Sequence, residues 1–201
     1  MMTRILSLSF TLFLLMDSLG NVPLFMAILK DFSPRKQRKI ILREMIIALG
    51  IIALFLGIGD FFLTFLNVKP YTILISGGII LFLIALKMIF PQHEAPQHVA
   101  DRSKEPFIVP LATPLNAGPA VLAAVMLYAK QEHVIVSLSA IIIAWLFSLL
   151  VLLSSSHLQK ILGPRGLLAC ERLMGLILTL LAVQMFLQGM ASYVNNGCIH
   201  N

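Results

Sequence analysis

Six long apolar stretches alternate with short polar ones along the chain, at residues 5–29, 42–66, 71–90, 106–129, 134–156 and 172–194. Each is close to the roughly 20 residues that a helix needs to cross a hydrocarbon layer about 30 Å thick. The pattern predicts an all-α polytopic membrane protein with six transmembrane helices. Two of the stretches are interrupted. In the first, Asp17-Ser18-Leu19-Gly20-Asn21-Val22-Pro23 combines a weak helix former, a residue that competes for backbone hydrogen bonds, and a proline that lacks an N–H. In the fourth, Pro110, Pro114 and Pro119 fall within ten residues, which no continuous α-helix accommodates. Helices one and four are therefore expected to be broken. Backbone freed at that depth is tolerated only where protein buries it or a watery cavity bathes it.

The two halves of the chain match each other. A shift of 96 residues places Ser18-Leu19 on Pro114-Leu115 and Pro23 on Pro119; a shift of 97 places Gly78 on Gly175, Ala85 on Ala182 and Met88 on Met185. Three spans per half is an odd number, so the second copy must cross the membrane in the opposite sense. The expected architecture is two inverted three-helix repeats within one integral membrane domain, 1–201: repeat one about 1–90, a cytoplasmic loop about 91–105, and repeat two about 106–201.

Composition agrees with a bilayer-embedded chain, since 59% of residues are apolar and only 12% charged, half the charged share of a soluble domain. The net charge of +6 does not point to nucleic acid, because the basic residues are concentrated beside the spans. Lys30, Arg35, Lys36, Arg38, Lys39 and Arg43 follow span one, Lys87, Arg102 and Lys104 follow span three, and Lys160, Arg165 and Arg172 follow span five; only Arg4, Lys69 and Lys130 fall on the other side. The positive-inside rule then places these odd-numbered loops in the cytoplasm and both termini in the periplasm, as in a multi-pass protein of a bacterial inner membrane. Arg4 and the apolar run after it imitate a signal peptide, but no small-x-small site follows and the segment is expected to be retained. Cys170 and Cys198 lack disulfide or CxxC spacing. His93 and His98 in the third loop are read as solvated loop residues, since no closed ligand set accompanies them. No metal and no cofactor are expected.

The candidate chemistry lies at the two breaks. Asn21 and Asn116 each precede a proline, as where an Asn caps a new half-helix and Pro takes its first turn. In inverted halves, two half-helix N-termini would converge on one midplane cavity with partial positive charge and unpaired N–H groups. Asp17 stands at the carbonyl end of the preceding half-helix, where a carboxylate calls for a proton or a cation. The bland alternative is a neutral Asp that caps backbone N–H groups. Asp60 is read as reaching interfacial water, and Arg43 and Glu44 as anchors at the cytoplasmic interface. The small residues Gly77, Gly78, Ala85, Gly175 and Ala182 are read as helix-packing positions. Nothing in the chain has the spacing of an enzyme's nucleophile and base, a zinc-protease motif or a phosphate loop.

Four segments in order carry a resemblance that spans essentially the whole chain: Asp17–Pro23, Ile75–Met88, Pro110–Pro119 and Glu171–Leu176. Together they resemble the MarC family (UPF0056) of bacterial integral membrane proteins. The resemblance implies six spans, an inner-membrane location and a place in the LysE-like transporter superfamily, many of whose members export amino acids or ions. Ser18 stands where the family usually has Pro, Thr113 where an aliphatic residue is usual, and Asn116 where an apolar one is usual.

The reading that follows is a secondary transporter, an exporter of a small polar solute coupled to protons or a cation by alternating access. Its pathway would comprise Asp17 as the coupling carboxylate, Asn21, Thr113 and Asn116 as solute-facing groups, and Gly20, Pro23, Pro114, Gly118 and Pro119 as makers of the backbone site. The lipid bilayer and a second copy of the chain are the expected partners. The alternative is a non-transporting scaffold or envelope-modulating protein that uses the breaks only for packing.

Overall fold

The computed structural model describes residues 2–29, 32–90 and 116–197. Within them lie seven α-helices: α1 (Met2–Met16), α2 (Val22–Leu29), α3 (Pro34–Phe65), α4 (Pro70–Ile89), α5 (Pro119–Gln131), α6 (Val134–Leu153) and α7 (Ser155–Gly197). Four helical stretches are long and apolar enough to cross a membrane: Pro34–Gly59, Pro70–Ile89, Val134–Leu153 and Arg165–Asn195. These match the predicted spans two, three, five and six. The first apolar stretch holds the separate helices α1 and α2, and the described part of the fourth holds α5. The third loop, with His93 and His98, lies outside the described residues, as do Pro110, Thr113 and Pro114.

Short connections join consecutive helices. After α3, Asn67 adopts φ 55°, its N–H donates to Thr64 O at 3.1 Å and the next N–H, of Val68, reaches Leu63 O at 2.9 Å. This is the Schellman pattern that closes a helix end. Lys69 is then extended and Pro70 opens α4 at its first turn, where a missing N–H costs nothing. His133 and Ser154 make equally tight turns on either side of α6. Helix begins well before the sixth apolar run, at Ser155, and is interrupted at Gly163, with φ 63° and ψ 178°. That left-handed position is open to glycine at no steric cost.

Two buried clusters stack along the bundle. One contains Leu12, Leu15 and Met16 of α1 with Ile52, Leu74, Ala120, Val121, Ala144 and Ala182. The other contains Val22, Phe25 and Leu29 of α2 with Ile40, Met45, Leu152 and Leu167. The chain passes from one cluster to the other at the Asp17–Asn21 turn. Trp145 packs against both, and its Nε1 donates to Met45 O at 2.7 Å. Leu54, Phe61, Leu150, Leu180 and Leu187 are exposed, as suits a surface that faces lipid.

The helices α4 and α7 run antiparallel at close backbone contact. A Cβ built on Gly78 would lie 2.8 Å from Ala182 O, 3.0 Å from Phe186 N and 3.4 Å from Met185 Cβ. One built on Gly175 would lie 3.1 Å from Ala85 O, 3.1 Å from Met88 Cβ and 3.0 Å from Ile89 Cγ1. Small residues let these backbones approach, and in lipid such contact is a main source of helix association.

Candidate functional site

The first break is a change of backbone hand. Asp17, directly after α1, takes φ 46°, a left-handed conformation that Asp tolerates better than bulky residues do. Its N–H donates to Leu14 O and its carbonyl accepts from Asn21 N, both at 3.0 Å. Its carboxylate Oδ1 accepts from the Gly20 N–H at 3.3 Å. Asp17 therefore does cap the turn. Asn21 Nδ2 donates to Met16 O at 3.3 Å, so this amide satisfies a carbonyl at the end of α1 while its backbone leads into α2. Pro23 is the second residue of α2, where its missing N–H would have no partner in the helix anyway.

Gly20 is fixed by space. A Cβ there would lie 2.6 Å from both carboxylate oxygens of Asp17 and would collide with the Met88 methyl. We expect Gly20→Ala to push the carboxylate off the turn and to destabilise the protein by about 1–3 kcal/mol, as overpacking does. Thermal melting of the purified protein in detergent measures this, with Gly50→Ala as comparison, since nothing lies within 4 Å of a Cβ at Gly50. Equal melting of the two variants would disprove the steric account.

At the second break, Gly118 is extended with φ −66° and ψ 166° and leads directly into Pro119, the first residue of α5. The cap is thus Gly118 and not Asn116, which corrects the capping role expected of that Asn. Asn116 sits two residues earlier and is fully buried, and among the described residues neither its Oδ1 nor its Nδ2 has a hydrogen-bond partner. Ser18, 1% exposed, is in the same position, its Oγ unpartnered. Such groups cost about 1–3 kcal/mol each when left unsatisfied, so each calls for an explanation beyond packing. Met16 and Ala117 belong to one buried cluster, and Met16 Sδ accepts from Ser148 Oγ at 3.4 Å. The end of α1 and the start of α5 therefore meet in one core, with Asp17 and Asn116 as their immediate chain neighbours.

Two further features lie outside the two breaks. Glu44 is fully buried, which corrects its expected role as an exposed interfacial anchor. Its Oε1 accepts from Arg43 Nε at 3.1 Å and Nη2 at 3.0 Å, whereas Oε2 has no partner among the described residues. The signal available was its register, since Ile41, Glu44, Met45 and Ala48 fall on one helical face of α3 and all are buried. The second feature is a cavity of about 520 Å3 among α1, α4, α5 and α7, with Thr11, Tyr128, Gln131, Gln184, Gln188 and Ser192 on its walls and Leu15 beside them. The four-residue spacing of Gln184 and Gln188 in an otherwise apolar span was the legible signal. Among the described residues, no group of His, Cys, Asp and Glu could hold a metal ion.

Comparison with known proteins covers the whole architecture. Residues 2–194 match the model of the MarC family integral membrane proteins. A UPF0056 membrane protein of Buchnera aphidicola from Acyrthosiphon pisum is 48% identical over 97% of this chain and 100% of its own length. The UPF0056 inner membrane protein YhgN of Escherichia coli K12 is 46% identical over 96% of this chain and 99% of its own. A UPF0056 membrane protein of Chlamydia muridarum is 36% identical over 98% of both. No solved structure matches the chain. With matches that run from the first helix to the last, the chain belongs to the MarC family of integral membrane proteins.

Proposed function

We propose that the protein is a secondary transporter of a small polar solute, built from two inverted three-span repeats that alternate access to the paired helix breaks. The observation that carries this reading is the first break itself: a carboxylate, 6% exposed, held on a left-handed turn between two half-helices. An intramembrane carboxylate is costly, and a place in an ion or solute pathway accounts for it. The unpartnered Asn116 before α5 supports the same reading, as a polar group left available at the other break. Thr113 and Pro114 complete that break in the proposal.

The contacts of α4 and α7 support inverted repeats. Gly78 meets Ala182, Met185 and Phe186, and Gly175 meets Ala85, Met88 and Ile89. A 97-residue shift exchanges the two sets member for member. Likewise α1 packs on α6 and α3 on α5, the two pairings that a swap of the halves interchanges. An axis in the membrane plane relates halves of this kind. The basic loops and the inner-membrane relative support a location in the bacterial inner membrane, with both termini periplasmic.

In the proposed cycle Asp17 binds the coupling proton or cation, and the solute is moved outward. The test is solute flux in proteoliposomes under an imposed pH gradient, comparing wild type with Asp17→Asn. An untargeted comparison of metabolites in cells lacking and overproducing the protein supplies the solute. We expect the variant to lose gradient-driven flux by at least about tenfold, the equivalent of 1.4 kcal/mol of coupling. Full gradient-driven flux in the variant would remove Asp17 from the coupling role.

A further inference from the structure

We propose that the cavity among α1, α4, α5 and α7 is a recognition site for a solute of no net charge that carries several hydrogen-bonding groups. This goes beyond the transport reading and stands on separate observations. Gln184 lies four residues from the middle of the Arg165–Asn195 span, about 6 Å along a helix. A side-chain amide at that depth is disfavoured against lipid but is stable beside water or a polar ligand. Gln188 and Ser192 follow at the next two turns of α7, and Thr11, Tyr128 and Gln131 come from two other helices. Six polar side chains from three helices therefore converge on one space of about 520 Å3, within the roughly 300–1,000 Å3 typical of small-molecule sites.

The lining sets the ligand's chemistry. Amides and hydroxyls both donate and accept, so they can replace the water around hydroxyl or amide groups of a solute. Among the described lining residues there is no Asp, Glu, Lys or Arg, so nothing there offsets the loss of hydration of an ion. The cavity also approaches the break: Leu15 lines it and is two residues from Asp17. Near the cavity, Arg4–Glu132 at 3.5 Å ties the start of α1 to the end of α5, and the Tyr71–Tyr193 ring contact at 5.4 Å ties the start of α4 to α7.

Cysteine labelling in proteoliposomes tests this. In a chain carrying Cys170→Ser and Cys198→Ser, single Gln184→Cys, Gln188→Cys or Leu180→Cys variants are treated with two membrane-impermeant methanethiosulfonates, one cationic and one anionic. We expect both former glutamine positions to react, at rates that agree within about threefold for the two charges, because a charged cleft would favour one reagent by tenfold or more. Leu180→Cys, exposed but outside the cavity lining, is expected not to react. We further expect sorbitol to slow labelling of Gln184→Cys at least twofold, and glutamate and putrescine at the same concentration to leave it unchanged. A tenfold charge preference, no reaction at Gln184, or protection by an ion but not by sorbitol overturns the proposal, as does protection by none of the three. Loss of gradient-driven flux on Asp17→Asn bears only on the transport reading, so the two can fail separately.

Discussion

Replacing Gly78 with alanine should destabilise the protein more than the equivalent change at Gly175. Its Cβ would meet the carbonyl oxygen of Ala182 at 2.8 Å and the backbone nitrogen of Phe186 at 3.0 Å. Both are main-chain atoms, and neither can rotate away. The added methyl is accommodated only if the two helices separate, which loosens every contact along their length. Overpacking of a tight interior typically costs about 1–3 kcal/mol, and the upper part of that range applies where the obstacle is backbone. Gly175→Ala should follow the same logic with a smaller effect, because its nearest obstacles lie at 3.0–3.1 Å and the closest of them is the Ile89 side chain. Gly57→Ala supplies the reference, since a Cβ there meets nothing within 4 Å. Thermal melting of purified protein in detergent should rank Gly78→Ala below Gly175→Ala and both below Gly57→Ala. If Gly78→Ala melts with Gly57→Ala, close backbone approach does not hold α4 to α7.

How far the sequence could be read depended on the kind of signal. Span positions were legible because lipid imposes a length and an apolar composition on every crossing helix. The first break was legible because Gly20 and Pro23 oppose a continuous helix through their own covalent structure, and α1 and α2 are separated at residues 17–21, just before Pro23. The hand of the turn was not legible, because Asp17 at φ 46° depends on bonds to Leu14, Gly20 and Asn21 that only the folded chain brings into place. The Asn116 cap was misjudged for a related reason: proline at the first position of a helix lets the preceding glycine serve as the cap, and the Asn falls outside the helix. Gly78 and Gly175 were recognisable as packing residues by size, but which backbone each would touch needed the fold. The full length of α7 was not legible because the segment before the sixth apolar run holds Lys160, Pro164, Arg165 and Glu171. Polarity there marks the membrane boundary, and the helix crosses that boundary unbroken except at Gly163. The burial of Glu44 and the glutamine-lined cavity were not legible because a polar residue in a membrane helix can face water, lipid headgroups or protein. Sequence gives its position along the helix but not the neighbour that covers it.

Glu44 is the group whose surroundings make the sharpest demand. Its carboxylate is fully buried about ten residues into α3, one oxygen held by the Arg43 guanidinium and the other without a partner. Removal of the arginine would strand a buried charge, and breaking such a pair costs about 3–5 kcal/mol. Arg43 is itself 37% exposed, so solvent already screens part of the attraction and the lower end of that range applies. We therefore expect Arg43→Ala to lower stability by about 3 kcal/mol. Glu44→Gln should be far milder, because the amide oxygen still accepts from Arg43 and no charge remains to be solvated. Glu44→Met should lie near wild type or above it, since a buried ion pair exchanged for an apolar side chain of similar volume is often neutral or stabilising. Melting temperatures of the three variants in detergent give the order directly. A large loss for Glu44→Met would mean that the carboxylate, and not its desolvation, dominates the site. If Glu44→Gln instead melts normally but abolishes flux in proteoliposomes, the unpartnered oxygen belongs to the transport pathway, because an intramembrane carboxylate retained without structural benefit is retained for function.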